Sequence, residues 1–377
     1  MASDPYAGMA WMHMQIAAGL LRLGHDVSYV ESTSMWPYDP VQGTRVRDPA
    51  YAIDYLARVC DGFGLGERWT YQRRHPEREW VGPRAGEAES LLAGADAVLN
   101  ISGATRVRRE GLTAGRVVYY GTDPGYHELA FASGSPKTRW IVDEHDDVVT
   151  YGENIGGRDC SLPPLPKLRS KTRQPVLLDV WRDGPPKREV FTTVANWRQP
   201  GRDIDYRGRT YRWSKHHEFL KFISVPGDGG PPVELATGLA NVSARDRRKL
   251  EQNGWQLADA HEFTTDPWRY RDYIWASRGE FTVAKDQYVA PRTGWFSERS
   301  ACYLAAGRPV VSQDTGFGNS LPTGEGLFAV ATADEARAAL EEIDTDYERH
   351  GRAARAIAEE YFRAETVLAK MIDDLGL

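Results

Sequence analysis

GEFTVAKDQYVAPRTGWFSERSACYLAAGRPVVSQDTGFGNSLPTGEG, residues 279–326, decides the fold. The apolar run at 281–284 reads as a short strand that ends in a loop carrying Lys285, Arg292, Thr293 and Gly294. Ser297 stands where a helix over 298–306 needs its cap, and Gly307 stops that helix. Residues 309–312 form the next strand, which delivers Gln313, Asp314, Thr315 and Gly316 to the same sheet edge. A helix start offers unpaired N–H groups and partial positive charge, which suits a diphosphate. Lys285 and Arg292 would add direct charge, the guanidinium in bidentate fashion. An Asp beside an amide and a hydroxyl suits the hydroxyls of a sugar or ribose. The candidate binding set is therefore Lys285, Arg292, Thr293, Gly294, Ser297, Glu298, Asp314, Thr315 and Gly316. One such loop is ordinary in any α/β protein; the ordered run as a whole is not.

Outward from this stretch the α/β rhythm continues. Ser243 caps a charged helix ending at Asn253-Gly254, Asp266 caps another running to Trp275, and Thr332 with Glu335 forms a capping box after a strand at 327–330. Residues 189–195 read as the first strand of this half, 196–211 as a polar loop and 214–223 as helix. In the N-terminal half, 10–23 is helical, Gly24 ends it and 27–30 is a strand. Strands at 97–101 and 117–120 run into Ser102-Gly103 and Gly121-Thr122-Asp123-Pro124-Gly125, and strand ends of this kind are where open α/β sheets hold ligands. The Pro-, Lys- and Arg-rich segment 163–186 reads as the crossing between two domains, 1–182 and 183–346, with 347–377 as a long amphipathic closing stretch. The chain opens Met1-Ala2-Ser3-Asp4-Pro5-Tyr6 and passes directly into helix, so the usual first strand is missing. Truncation or a mis-assigned start is the expectation.

A length of 377 residues fits two cores better than one. Net charge of −6 argues against a nucleic-acid backbone as the main partner. Three cysteines, Cys60, Cys160 and Cys302, show neither a disulfide framework nor paired zinc spacing, which points to a reducing compartment. No apolar run reaches membrane-spanning length and no basic-then-apolar leader is evident, so a cytoplasmic protein is expected.

Gly294-Trp295-Phe296-Ser297, the run from Ser300 to Val311, Gln313-Asp314-Thr315-Gly316-Phe317 and the run from Pro322 to Leu327 resemble the donor half of bacterial GT-B glycosyltransferases. Thr193-Val194-Ala195-Asn196-Trp197, Arg202 to Tyr206 and Trp213-Ser214-Lys215 extend the resemblance, as do Gly8 to Trp11, Leu23 to Val27 and Thr150 to Gly156. It implies two Rossmann-like domains facing a cleft, with a nucleoside-diphosphate sugar (UDP- or dTDP-linked) held mainly by the second. The final helix would cross back onto the first domain. The implied reaction moves a hexose-type sugar to an acceptor hydroxyl without metal or other cofactor. The acceptor, a small molecule, natural product or glycan, is not legible, and a homodimer is compatible with the sequence. Many retaining members carry Glu five residues before the Gly that ends the donor helix; here that position is Cys302, with Glu298 one turn earlier. Stereochemistry is therefore open. A GT-B sugar-nucleotide epimerase or hydrolase, and a non-catalytic sugar-nucleotide-binding protein, are the alternatives.

An inverting reaction needs a base for the acceptor hydroxyl. His13, Asp123, His127 and His145 are the candidates. His13 is preferred because the loop before the first helix borders the cleft in this architecture, and Asp123 comes second. Asp203-Ile204-Asp205 spells a metal-binding pattern but lies in an Arg-rich loop, and Gly62-Phe63-Gly64-Leu65-Gly66 follows a helix and reads as its stop. His216-His217 reads as a surface pair.

Overall fold

The computed structural model describes residues 1–377 apart from Ser34, Thr113, Arg182, Asp183 and Asp228. The expected division between residues 182 and 183 falls outside the described residues. In the C-terminal half, strands Phe191–Val194, Val233–Thr237, Gln256–Asp259, Gly279–Thr282, Val310–Gln313 and Leu327–Val330 form one parallel sheet. Their spatial order is third, second, first, fourth, fifth, sixth. Val310–Gln313 is buried along its whole length, as a strand covered on both faces must be. The winding reverses between Phe191–Val194 and Gly279–Thr282, and the crevice beyond the C-terminal ends of two such strands is where an open α/β sheet holds its ligand.

The N-terminal half carries a four-stranded parallel sheet in the order Val98–Ile101, Val117–Gly121, Asp147–Thr150, Leu168–Lys171. A separate three-stranded sheet joins Tyr29–Glu31, Trp69–Arg73 and Glu79–Val81. Among the described residues no strand precedes the helix Ala7–Arg22. Tyr29–Glu31 and Val98–Ile101 are both sheet edges.

Two expectations change. The segment read as a simple crossing contains the edge strand Leu168–Lys171, which escapes notice because only Ser170 of its residues is fully buried. The closing stretch is two helices, Tyr347–Tyr361 and Ala364–Leu375. They part because the carbonyl of Phe362 and the amide of Ala364 leave helical pairing to bond the backbone of Val176, at 2.7 and 3.0 Å. Ala364–Leu375 then packs on Ala7–Arg22 and on Leu168–Lys171 of the N-terminal half.

The helix Ala7–Arg22 also binds the C-terminal half. Trp11 is fully buried, its ring 4.8 Å from Trp181, 4.9 Å from Phe63 and 5.5 Å from Trp268, with Nε1 donating to the Pro267 carbonyl at 2.9 Å. Asp266 caps the helix Pro267–Ala276 by accepting from the amides of Trp268 and Arg269. At the far side of the cleft Asn154 reaches across and donates to the carbonyls of Arg292 and Gly316, at 3.2 and 2.9 Å. Gly294, at φ 76°, makes room for it: a Cβ there would lie 2.8 Å from the Asn154 side chain and 2.9 Å from its backbone nitrogen. Gly294→Ala is expected to cost about 1–3 kcal/mol through left-handed strain and displacement of Asn154. Thermal unfolding measures this, and an unchanged midpoint would contradict it.

Candidate functional site

The crevice is lined by charge taken out of water. Lys285, three residues beyond the strand Gly279–Thr282, is 8% exposed and lies at the start of the short helix Asp286–Val289. Its ammonium sits 3.2 Å from the centroid of the Trp213 ring and donates to Asp123 Oδ1 at 2.9 Å. Asp123 comes from the opposite domain, in the loop beyond Val117–Gly121, and Tyr288 donates its hydroxyl to the same Oδ1. Burial pushes the Asp123 carboxyl up, but Lys285 and the Tyr288 hydroxyl outweigh it and hold the group below the usual carboxylate range.

Lys215 lies at the start of His216–Phe219, in the connection that follows Phe191–Val194, and is 9% exposed. Among the described residues no carboxylate pairs with it. Burial, with Arg299 and Lys285 adding to it, brings its ammonium down to about 7. Arg299 lies in the first turn of the helix Glu298–Ala305 and is pinned on three sides. It donates to Glu280 Oε1 at 2.5 Å, to the Val194 carbonyl at 2.6 Å and to Thr282 Oγ1 at 2.9 Å, so it ties the helix start to both strands flanking the crevice. Glu280 is wholly buried and its Oε2 has no hydrogen-bond partner. Three cations thus converge on a sheet crevice beside a helix N-terminus, with Glu280 and Asp123 as the carboxylates facing them.

The expected binding residues fall into groups. Arg292 pairs with Asp314 at 2.9 Å on the rim, both partly exposed. Thr293 donates to the Tyr288 carbonyl and Thr315 to the Trp295 carbonyl, so both hydroxyls fasten loops. Gly316 donates its amide to Asp314, and Gly294 donates to the Thr315 carbonyl at 2.8 Å. Ser297 occupies the N-cap position of its helix, but its side chain accepts no backbone N–H. Glu298 turns toward the first helix, accepting from Gln15 at 2.9 Å and from Cys302 Sγ at 3.3 Å, and burial pushes it up to about 7. A carboxyl thus lies directly against the Cys302 position where the resemblance expects Glu.

His13 is not brought to this cluster. It is buried on the sheet side of its helix, edge-on to Tyr29 at 5.8 Å, and burial lowers it to about 3. His145 is fully buried between the Asn100 amide and the Ile141 carbonyl. His127 packs among Tyr119, Tyr126 and Trp140 one turn beyond Asp123. Of the four base candidates, Asp123 is the one in contact with a crevice cation. His216, read as surface, is buried: Ser214 and Arg198 bond its two ring nitrogens, and the His217 ring lies tilted at 3.8 Å. Asp203 and Asp205 secure the hairpin Ile204–Tyr206/Arg209–Tyr211 by accepting from the Trp213 amide and the Thr210 hydroxyl. Among the described residues there is no group of three or more His, Cys, Asp or Glu arranged to hold a metal. No helix among them is long and apolar enough to cross a membrane.

Lys215, which entered only as part of the resemblance, and Arg299, Glu280 and Tyr288 are absent from the set expected from sequence. No local signal marks them, because they stand on separate elements that only the fold brings together.

No protein-family model matches the chain, and no curated protein matches it in sequence. Solved structures do. An alpha-glucosyltransferase, solved with UDP and a 13-mer DNA, superposes at a TM-score of 0.57 with 11% identity, over 99% of this chain and 96% of that one. Anabaena HepE, solved with UDP and glucose, gives 0.52 with 11% identity over 86% and 89%. TarM is more distant, at 0.49 and 10% identity, and the present chain spans 62% of its length. The fold is GT-B, and the two Rossmann-like halves face each other across the crevice just described.

The charge state of Lys215 has a consequence for stability. Its fall from 10.5 to about 7 corresponds to roughly 5 kcal/mol against the buried charged form. That penalty is present in full below pH 7 and fades as pH rises toward 10.5, where the unfolded chain also loses the proton. Lys215→Met is therefore expected to raise the thermal midpoint at pH 6.5 by several degrees and to leave it nearly unchanged near pH 10. A lower midpoint at pH 6.5 would contradict the assignment.

Proposed function

We propose that this chain transfers a hexose-type sugar from a nucleoside diphosphate to an acceptor hydroxyl. The observation that carries the reading is the convergence of Lys215, Lys285 and Arg299 on the crevice of a GT-B fold, beside the start of Glu298–Ala305. A diphosphate leaving group places its developing negative charge where these cations and free helix amides would be, and stabilisation there lowers the barrier most. The charge needed by the leaving group is supplied by side chains, which favours a metal-independent reaction. UDP is the first carrier to test, because HepE and the alpha-glucosyltransferase of the same fold were solved with it, and dTDP is the second.

In the displacement, the bond from the anomeric carbon to the diphosphate oxygen breaks as the bond from the acceptor oxygen forms. The acceptor proton passes to Asp123, and the electron pair leaves with the diphosphate. Asp123 is given the base role in preference to His13 because it alone touches the donor cations. Arg292 and Asp314, at the rim, are assigned to the outer hydroxyls of the donor.

Because Lys215 is largely neutral at pH 8 in the free protein, binding a diphosphate must return its proton. Calorimetry of UDP binding in buffers of different ionisation enthalpy is expected to show uptake of close to one proton at pH 8 and clearly less at pH 6. Lys215→Met should abolish the uptake and weaken binding by about tenfold or more. Binding of neither UDP nor dTDP, or binding without proton uptake, would overturn the donor assignment.

A further inference from the structure

We propose, resting on the assignment of Asp123 as base, that Tyr288 is a positioning residue that holds this carboxylate from the opposite domain. The base is then set only while the two halves are closed on each other.

The two residues meet across the cleft. Asp123 follows the strand Val117–Gly121, while Tyr288 lies on Asp286–Val289 of the donor half. Tyr288 is fully buried, and its ring is held 4.5 Å from Trp295. Trp295 in turn donates Nε1 to the carbonyl of Thr122, the residue before Asp123, at 3.1 Å. On the next turn of the loop, Gly125 at φ 113° lets the two halves approach so closely that a Cβ there would lie 2.5 Å from the Gln287 carbonyl oxygen. The Tyr288 hydroxyl is thus fixed by its own ring packing and by a seam that closes beside it.

The division of labour on the carboxylate follows from which groups can move. Asp123 Oδ1 accepts from both Lys285 and Tyr288. Among the described residues no hydrogen bond reaches Oδ2, and the side chain is 43% exposed. Oδ2 is the oxygen that faces an acceptor. Lys285 carries its charge on a flexible stem and can swing to a diphosphate, whereas the buried phenol has no such freedom. Once the donor is bound, Tyr288 remains as the donor that keeps Oδ1 in place. A buried phenol, held neutral by burial, serves as a hydrogen-bond donor without adding charge.

The other groups facing Asp123 are Arg202 from the segment before the hairpin, Lys215 beyond Phe191–Val194, Tyr119 from the strand Val117–Gly121 and His127 from the helix Tyr126–Ala132. His127 also titrates at low pH, so its contribution must be separated.

The test measures free-sugar release from a panel of UDP- and dTDP-hexoses, with water as acceptor, across pH 4–8, alongside UDP affinity by calorimetry. Tyr288→Phe is expected to lower kcat roughly 10- to 100-fold while UDP affinity stays within about threefold. Its acid limb should move to higher pH, because a hydrogen bond to the ionised carboxylate has been lost. 3-Fluorotyrosine at position 288, an isosteric and stronger donor, should move the limb to lower pH, and it serves if the Phe variant fails to fold. His127→Gln should leave the limb in place. Limbs unmoved in both Tyr288 variants, with only thermal stability altered, would overturn the proposal while leaving the donor site standing. Failure of the wild-type protein to bind either nucleotide would remove the base assignment itself, and this inference with it.

Discussion

Positive charge held out of water at the sheet crevice is the constraint around which the rest of this structure is arranged. Burying an unpaired ammonium is costly, and a protein keeps one only where something compensates it. Arg299 is compensated within the protein by Glu280, a backbone carbonyl and a threonine hydroxyl. Lys285 is compensated from the other domain by Asp123. Lys215 forms no ion pair with a carboxylate among the described residues, has only the Trp295 ring at 5.9 Å, and is lowered by burial. Read in that order, the three cations describe one fixed, one exchangeable and one waiting positive group, the set expected where a diphosphate comes and goes.

The exchangeable pair matters because it links chemistry to domain arrangement. Trp11 and Gln15 of the first helix, the Ala364–Leu375 helix and the Asn154 amide all bind one half to the other. Within that frame Asp123 of the N-terminal half and Lys285 and Tyr288 of the C-terminal half are pressed together. A GT-B protein whose base is oriented from the donor domain would not deprotonate an acceptor in an open state. That arrangement would restrain wasteful hydrolysis.

Much of the fold was legible because its strands and helices are short, buried and punctuated. The 279–326 stretch announces strand, loop, helix and strand, and the structure places them at Gly279–Thr282, two residues before the expected 281–284, and at Glu298–Ala305 and Val310–Gln313. Leu168–Lys171 and the break at Phe362 were not legible, because edge strands bury little and the break depends on a distant partner, Val176. The site was only partly legible for a related reason. Loop residues near the glycines were visible as a cluster, yet Thr293 and Thr315 spend their hydroxyls on backbone carbonyls. Lys215, Arg299 and Glu280 reach the crevice from three separate elements, and no local spacing brings such residues together. His13 was preferred from the place of its loop in the architecture, and its ring packs edge-on to Tyr29 rather than beside Lys285.

A crystal structure of the protein with UDP tests the central claim most directly. The account requires the diphosphate to lie beyond Phe191–Val194 and Gly279–Thr282, with phosphate oxygens within hydrogen-bonding reach of Lys215 and Lys285 Nζ and the Lys285–Asp123 contact broken. A nucleotide seated elsewhere, with that contact intact and Lys215 still without an anion, would contradict it.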